Sequence, residues 1–143
     1  MRAARRGLAA MLAIAAVAIV PAGAEHEVYY RFTVLGYVMD LRGKPVADAK
    51  IEVVRNKTGF TYLGETDAAG LYVVLTRLGD ESRGEALTVR QGGRERRVTV
   101  AFDPANHTDE RGTRVDFEGA RAIERAASFR ATLLSVVGAS SRH

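Results

Sequence analysis

Short β-prone runs recur along this chain about every ten residues, and each ends in a cluster of Gly, Asp, Asn or Pro. A chain punctuated this often has no room for long helices, so its middle must fold as strands joined by tight turns. Residues 28–40 read as a long first strand rich in aromatic and β-branched residues. Leu41-Arg42-Gly43-Lys44-Pro45 breaks it, because Gly supplies positive φ and Pro denies the ladder a donor. Residues 49–56 alternate Ala49, Ile51 and Val53 with Lys50 and Glu52, the period of a half-buried strand. Residues 60–65 and 71–77 follow the turns Asn56-Lys57-Thr58-Gly59 and Thr66-Asp67-Ala68-Ala69-Gly70, and these two strands are expected to pair as a hairpin. Residues 85–91 and 94–102 flank Gly92-Gly93, a two-residue connection suited to a primed turn. Asp103-Pro104-Ala105-Asn106 ends that pair, and 112–117 form the last strand. Seven strands in roughly ninety residues predict an all-β, Greek-key sandwich of the Ig-like or transthyretin-like kind. Its expected core is Tyr30, Phe32, Val34, Val38, Ile51, Val53, Tyr72, Val74, Leu87, Val89, Val98, Val100, Val115 and Phe117.

The two ends differ from this middle. Residues 1–24 have the three parts of a secretory signal: a basic start with Arg2, Arg5 and Arg6, an uncharged run over 8–20, and small residues at Ala22 and Ala24. The run is short of the roughly 20 apolar residues that span a bilayer. Export, to the periplasm or outside the cell, is therefore expected. The whole chain carries a formal charge of +4, but three of its positive charges sit in this segment, and the remainder is close to neutral. With no basic stripe interleaved with aromatics, the sequence predicts no nucleic-acid partner.

At the other end, residues 118–143 are expected to form an amphipathic helix and tail, with the sandwich domain occupying 25–117. Glu118 to Val137 lacks Pro, is rich in helix formers, and places Ile123, Ala127, Leu134 and Val137 near one face. Its last turns are apolar nearly all round. Two readings follow: a helix packed on its own sandwich, or an element that docks on another protein or a membrane surface.

Four segments carry a family resemblance. Gly36-Tyr37-Val38-Met39-Asp40, Gly43-Lys44-Pro45-Val46, Asp48-Ala49-Lys50-Ile51-Glu52-Val53 and Thr66-Asp67-Ala68-Ala69-Gly70-Leu71-Tyr72 follow one another in an order and spacing that resemble the carboxypeptidase regulatory-like domain. The resemblance runs from Gly36 to about Phe102. It implies a transthyretin-like (prealbumin-like) sandwich that serves as a structural or binding unit, with no catalytic residues in the family pattern. Where that pattern has Gly, this chain has Asp48, a departure confined to one turn.

Candidate chemistry is sparse. The chain has no Cys, which removes disulfides, thiolate metal sites and thiol catalysis together. Cleavage after Ala24 would place His26 second from a free amine, where amine, amide and imidazole nitrogens suit Cu(II). His107 is a second candidate ligand, with Asp103 or Asp109 as an oxygen donor. A copper-binding protein is thus the alternative reading. Asp103, Asp109, Glu110 and Asp116 beside His107 are the candidates for acid/base work. Asp67 is better read as the cap of its own Asp-x-x-Gly turn than as a calcium ligand. No nucleophile elbow, phosphate cradle or zinc motif occurs. The expectation is therefore an exported accessory module without enzymatic activity or cofactor, which recognises a protein, peptide or polysaccharide through loops, sheet edges or the C-terminal helix.

Overall fold

The computed structural model describes residues 31–106 and 108–140; the expected signal segment 1–24, His26, Tyr30 and His107 lie outside them. The described chain is an all-β sandwich of two four-stranded sheets with one C-terminal helix. Its strands are β1 (Phe32–Met39), β2 (Lys50–Arg55), β3 (Thr61–Glu65), β4 (Leu71–Thr76), β5 (Ala86–Gln91), β6 (Arg94–Thr99), β7 (Gly112–Glu118) and β8 (Arg121–Glu124), followed by helix α1 (Phe129–Ser140). One sheet has the order β4-β1-β7-β8 and the other β3-β2-β5-β6.

Three expectations are corrected. β3 and β4 do not pair with each other: β3 is antiparallel to β2, and β4 to β1. The Asp67 turn is a corner that carries the chain from one sheet to the other, held by Thr66, whose hydroxyl donates to Val46 O at 2.6 Å and accepts from Ala49 N–H at 2.8 Å. The helix does not begin at Glu118, and the strands number eight among the described residues rather than seven. Gly119, at φ 58, turns the chain back so that β8 pairs antiparallel with β7. Propensity favours helix for Arg121-Ala122-Ile123-Glu124, but the open edge of β7 offers ladder bonds that outweigh it. The start of α1 packs on the sandwich. Gly112 has no side chain because Phe129 of α1 lies on it: a Cβ there would stand 2.6 Å from the ring. Phe129 and Thr132 are buried, while Leu134 and Val137 on the same helix are exposed.

The core matches expectation. Every expected core residue within the described chain belongs to the buried cluster, joined by Ala49 and Leu78. Phe32, Val34 and Val38 share one face of β1 with Gly36, in unbroken alternation. Gly92 takes φ 58 in the two-residue turn where Gln91 pairs with Arg94. Asp48 is the non-glycine residue with positive φ, at 59°, in the turn where the resemblance calls for Gly.

The first of these sheets is joined at its centre by the parallel pairing of β1 with β7. Its ladder runs Thr33↔Gly112, Val34↔Thr113 and Leu35↔Arg114, then resumes at Val38↔Phe117 without a shift of register. At the gap, Tyr37 N–H donates to the Asp116 carboxylate at 3.0 Å, and the Tyr72 hydroxyl donates to Val115 O at 2.5 Å. A side chain at Gly36 would stand 1.8 Å from that same carbonyl.

Tyr72→Phe is expected to destabilise the fold by about 1–3 kcal/mol, because the buried Val115 carbonyl loses its donor. Tyr72→Ala should cost about 3–5 kcal/mol, since a cavity is added. Urea unfolding of both variants measures the difference. Removing residues 119–143 takes β8 and α1 from one sheet, so a loss of cooperative thermal unfolding is expected in far-UV circular dichroism.

Candidate functional site

An open depression lies at the end of the β2–β3 hairpin. Arg55 N–H donates to Phe60 O at 2.8 Å and closes a four-residue loop, 56–59. Arg55 O accepts from Thr58 and Gly59 N–H, and Gly59 takes φ 76 to bring the chain round. Asn56 anchors the loop to β5, its N–H donating to Ala86 O at 3.1 Å and its side-chain oxygen accepting from the Thr88 hydroxyl at 2.8 Å. The loop is thus rigidly placed although it is exposed.

Arg55, Thr58, Gly59, Phe60 and Tyr62 line an open depression of about 460 Å³. Phe60 is 59% exposed, and its ring meets Tyr62 edge to face with centroids 4.8 Å apart. Such a ring presents a bare π face to solvent. The Arg55 guanidinium forms a two-pronged pair with Glu85, Nε to Oε1 and Nη2 to Oε2, both at 2.7 Å. That pair holds the Glu85 carboxyl at about 2, well below its usual 4.5, with Ser82 adding a further hydrogen bond. Glu85 therefore stays ionised and committed to Arg55. The lining offers aromatic faces, a hydroxyl and a guanidinium, groups that bind flat or hydroxyl-bearing partners.

A second polar centre lies on the outer face of the first sheet. Asp116 is buried and accepts from Arg114 Nη2 at 2.9 Å, from Tyr37 N–H, and from Arg125. Burial raises its pKa, but these hydrogen bonds together outweigh burial and leave it lowered. Arg114 lies over the Tyr37 ring at 5.1 Å and donates to the Thr132 hydroxyl at 3.0 Å, while Arg125 also pairs with Glu118 at 2.6 Å. Every partner in this network belongs to the fold, so it ties β1, β7, β8 and α1 together.

The acids expected around His107 are not gathered into one site. Asp116 lies in that network, Asp109 pairs with Arg130 at 2.9 Å, and Glu110 pairs with Arg31. Asp103 accepts from Ala105 N–H and caps its own loop. Asp67 caps its turn as expected, accepting from Ala69 and Leu71 N–H. The proposed copper ligands His26 and His107 lie outside the described residues, and the described residues hold no group of three or more potential ligands. Sequence reasoning missed Arg55 and Phe60. The only local signal was an aromatic residue directly after a turn glycine; the pairing of Arg55 with Glu85 spans thirty positions and leaves no trace in sequence spacing.

No protein-family model and no curated protein matches the chain. Among solved structures it is similar to the dioxygenase domain of a dioxygenase and carbohydrate-binding protein fusion from Streptomyces sp. SirexAA-E, with 17% identity over 73% of this chain and 80% of that one, at a TM-score of 0.39. It is also similar to catechol 1,2-dioxygenase from Acinetobacter sp. ADP1, with 18% identity over 68% of this chain and 45% of that one, again at a TM-score of 0.39. Both neighbours are enzymes, so the expectation that this chain is not an enzyme is withdrawn. At that score the likeness assigns no activity to the chain.

The Arg55–Glu85 pair predicts a pH dependence. Because its folded pKa is depressed, Glu85 contributes stability in full above about 4.5 and loses it as pH falls through about 2. Glu85→Gln should be less stable at neutral pH and show a shallower loss across that window, read from melting temperatures against pH.

Proposed function

We propose that this chain is an exported binding module of the carboxypeptidase regulatory-like kind, with a transthyretin-like, Greek-key sandwich. Support for the fold detail comes from the connections: β1–β2, β3–β4, β4–β5 and β6–β7 each pass from one sheet to the other. Gly36, Gly70 and Tyr72, three residues of the resemblance, also meet at the seam between β1, β4 and β7. Gly70 O accepts from Val38 N–H at 2.8 Å, and a Cβ on Gly70 would stand 2.7 Å from Val38 O. Export rests on the signal-like segment 1–24.

The observation that carries the binding reading is the exposed Phe60 ring at the edge of a depression whose loop is pinned on both sides. An isolated exposed apolar residue is ordinary. An aromatic braced by a second ring, beside a fixed guanidinium and a hydroxyl, is a preformed surface that costs little entropy to occupy. The depression is open rather than enclosed, which suits a segment of an extended peptide or polysaccharide passing across the sandwich end.

Pull-down against insoluble cell-envelope polysaccharides and a peptide array tests this reading. A partner is expected whose affinity falls about tenfold or more in Phe60→Ala, equivalent to about 1.4 kcal/mol, with the melting temperature unchanged. A partner that binds Phe60→Ala as tightly as the parent chain overturns the assignment of the site.

A further inference from the structure

The four edges of the sandwich differ in how they are guarded. β6 presents Arg94, Glu95, Arg96 and Arg97, and β8 carries Arg121 and Glu124. Charges on an edge strand discourage pairing with another chain. β4 carries none: it reads Leu71-Tyr72-Val73-Val74-Leu75-Thr76, and on its outward side Val73 and Leu75 are 39% and 53% exposed. A six-residue uncharged strand with apolar residues exposed at a sheet edge is what native proteins ordinarily avoid unless something covers it.

The backbone of β4 is also arranged for pairing. Leu71 N–H and C=O turn away from β1 and are used by the Asp67 turn, at 3.0 Å and 2.9 Å. Antiparallel alternation then directs the N–H and C=O of Val73 and Leu75 to the same free side. β4 is the end strand of its sheet, so no strand among the described residues receives them. Gly64 of β3 lies against the inward side of β4: a Cβ on it would stand 2.5 Å from Cγ2 of the buried Val74.

We propose that the β4 edge pairs antiparallel with β4 of a second copy of this chain, joining two four-stranded sheets into one of eight. A two-fold axis at Val74 sets Val73 of one copy opposite Leu75 of the other, so all four free backbone groups of each strand segment are satisfied and the exposed apolar side chains lie side by side. The strand is its own complement, as a two-fold contact requires, and no like charges meet. The same operation on β6 would bring arginine-rich strands together.

Sedimentation equilibrium of the purified protein tests the pairing. A dimer is expected, insensitive to high salt because it rests on backbone bonds and apolar contact. Val73→Lys and Leu75→Lys should each raise the dissociation constant at least tenfold while keeping the parent circular dichroism spectrum; Leu75, the more exposed, serves if the Val73 variant does not fold. Because the chain has no cysteine, mixed Val73→Cys and Leu75→Cys proteins should cross-link on mild oxidation, whereas Val73→Cys mixed with Arg96→Cys should not. A monomer at all concentrations, or a dimer that survives both lysine substitutions, overturns the proposal.

Discussion

The carbonyl of Val115 organises this sandwich. It falls where the parallel ladder between β1 and β7 is interrupted, and it is satisfied by the Tyr72 hydroxyl reaching across from β4. Gly36 leaves room for the approach, and Asp116 takes the Tyr37 N–H that the ladder leaves over. Three strands distant in sequence thus meet through one tyrosine, one glycine and one carboxylate. An unpaired carbonyl at this depth would carry the desolvation cost of a buried polar group. β1 is the inner strand that both β4 and β7 join, and the sheet has no other route between them.

Arginines hold the parts of the fold that the apolar core does not reach. Arg94 lies 5.4 Å over the Phe117 ring and donates to Gly119 O at 2.5 Å, joining one sheet to the β7–β8 turn of the other. Arg111 is buried with its guanidinium 3.9 Å over Phe102 and pairs with Asp80 at 2.6 Å. Arg114 and Arg125 converge on Asp116. A planar guanidinium can stack on a ring and fork onto oxygens at once, which an ammonium cannot do. These four arginines are thus committed to the fold.

The outer surface divides accordingly. β6 and β8 carry charge, whereas Phe60, Leu63, Val73 and Leu75 are exposed at β3 and β4, Leu134 and Val137 on α1, and Leu41 beside the β7–β8 turn. The pinned β2–β3 loop and the uncharged β4 edge both lie toward the β3/β4 side of the sandwich.

The strands and the core were legible in the amino-acid order, because alternation and turn residues act over neighbouring positions. Ile51 and Val53, alternating with Lys50 and Glu52, announce their buried face by a period of two, whereas β1, apolar on both faces, does not. The turn glycines Gly43, Gly59, Gly70 and Gly92 were legible for the same reason, since a positive φ is a property of one residue, but Gly119 was read into a helix. Partnership, beyond the hairpin across Gly92-Gly93, was not. That β3 pairs with β2 rather than β4, that residues 121–124 join β7 as a strand despite favouring a helix, and that Arg55 meets Glu85 beside Phe60 all follow from where distant segments come to rest. Local sequence sets which backbone shape each segment prefers and which face it buries. Only tertiary structure decides which edge supplies the missing hydrogen bonds and which charges meet, because those energies depend on distances between segments that the chain order does not specify.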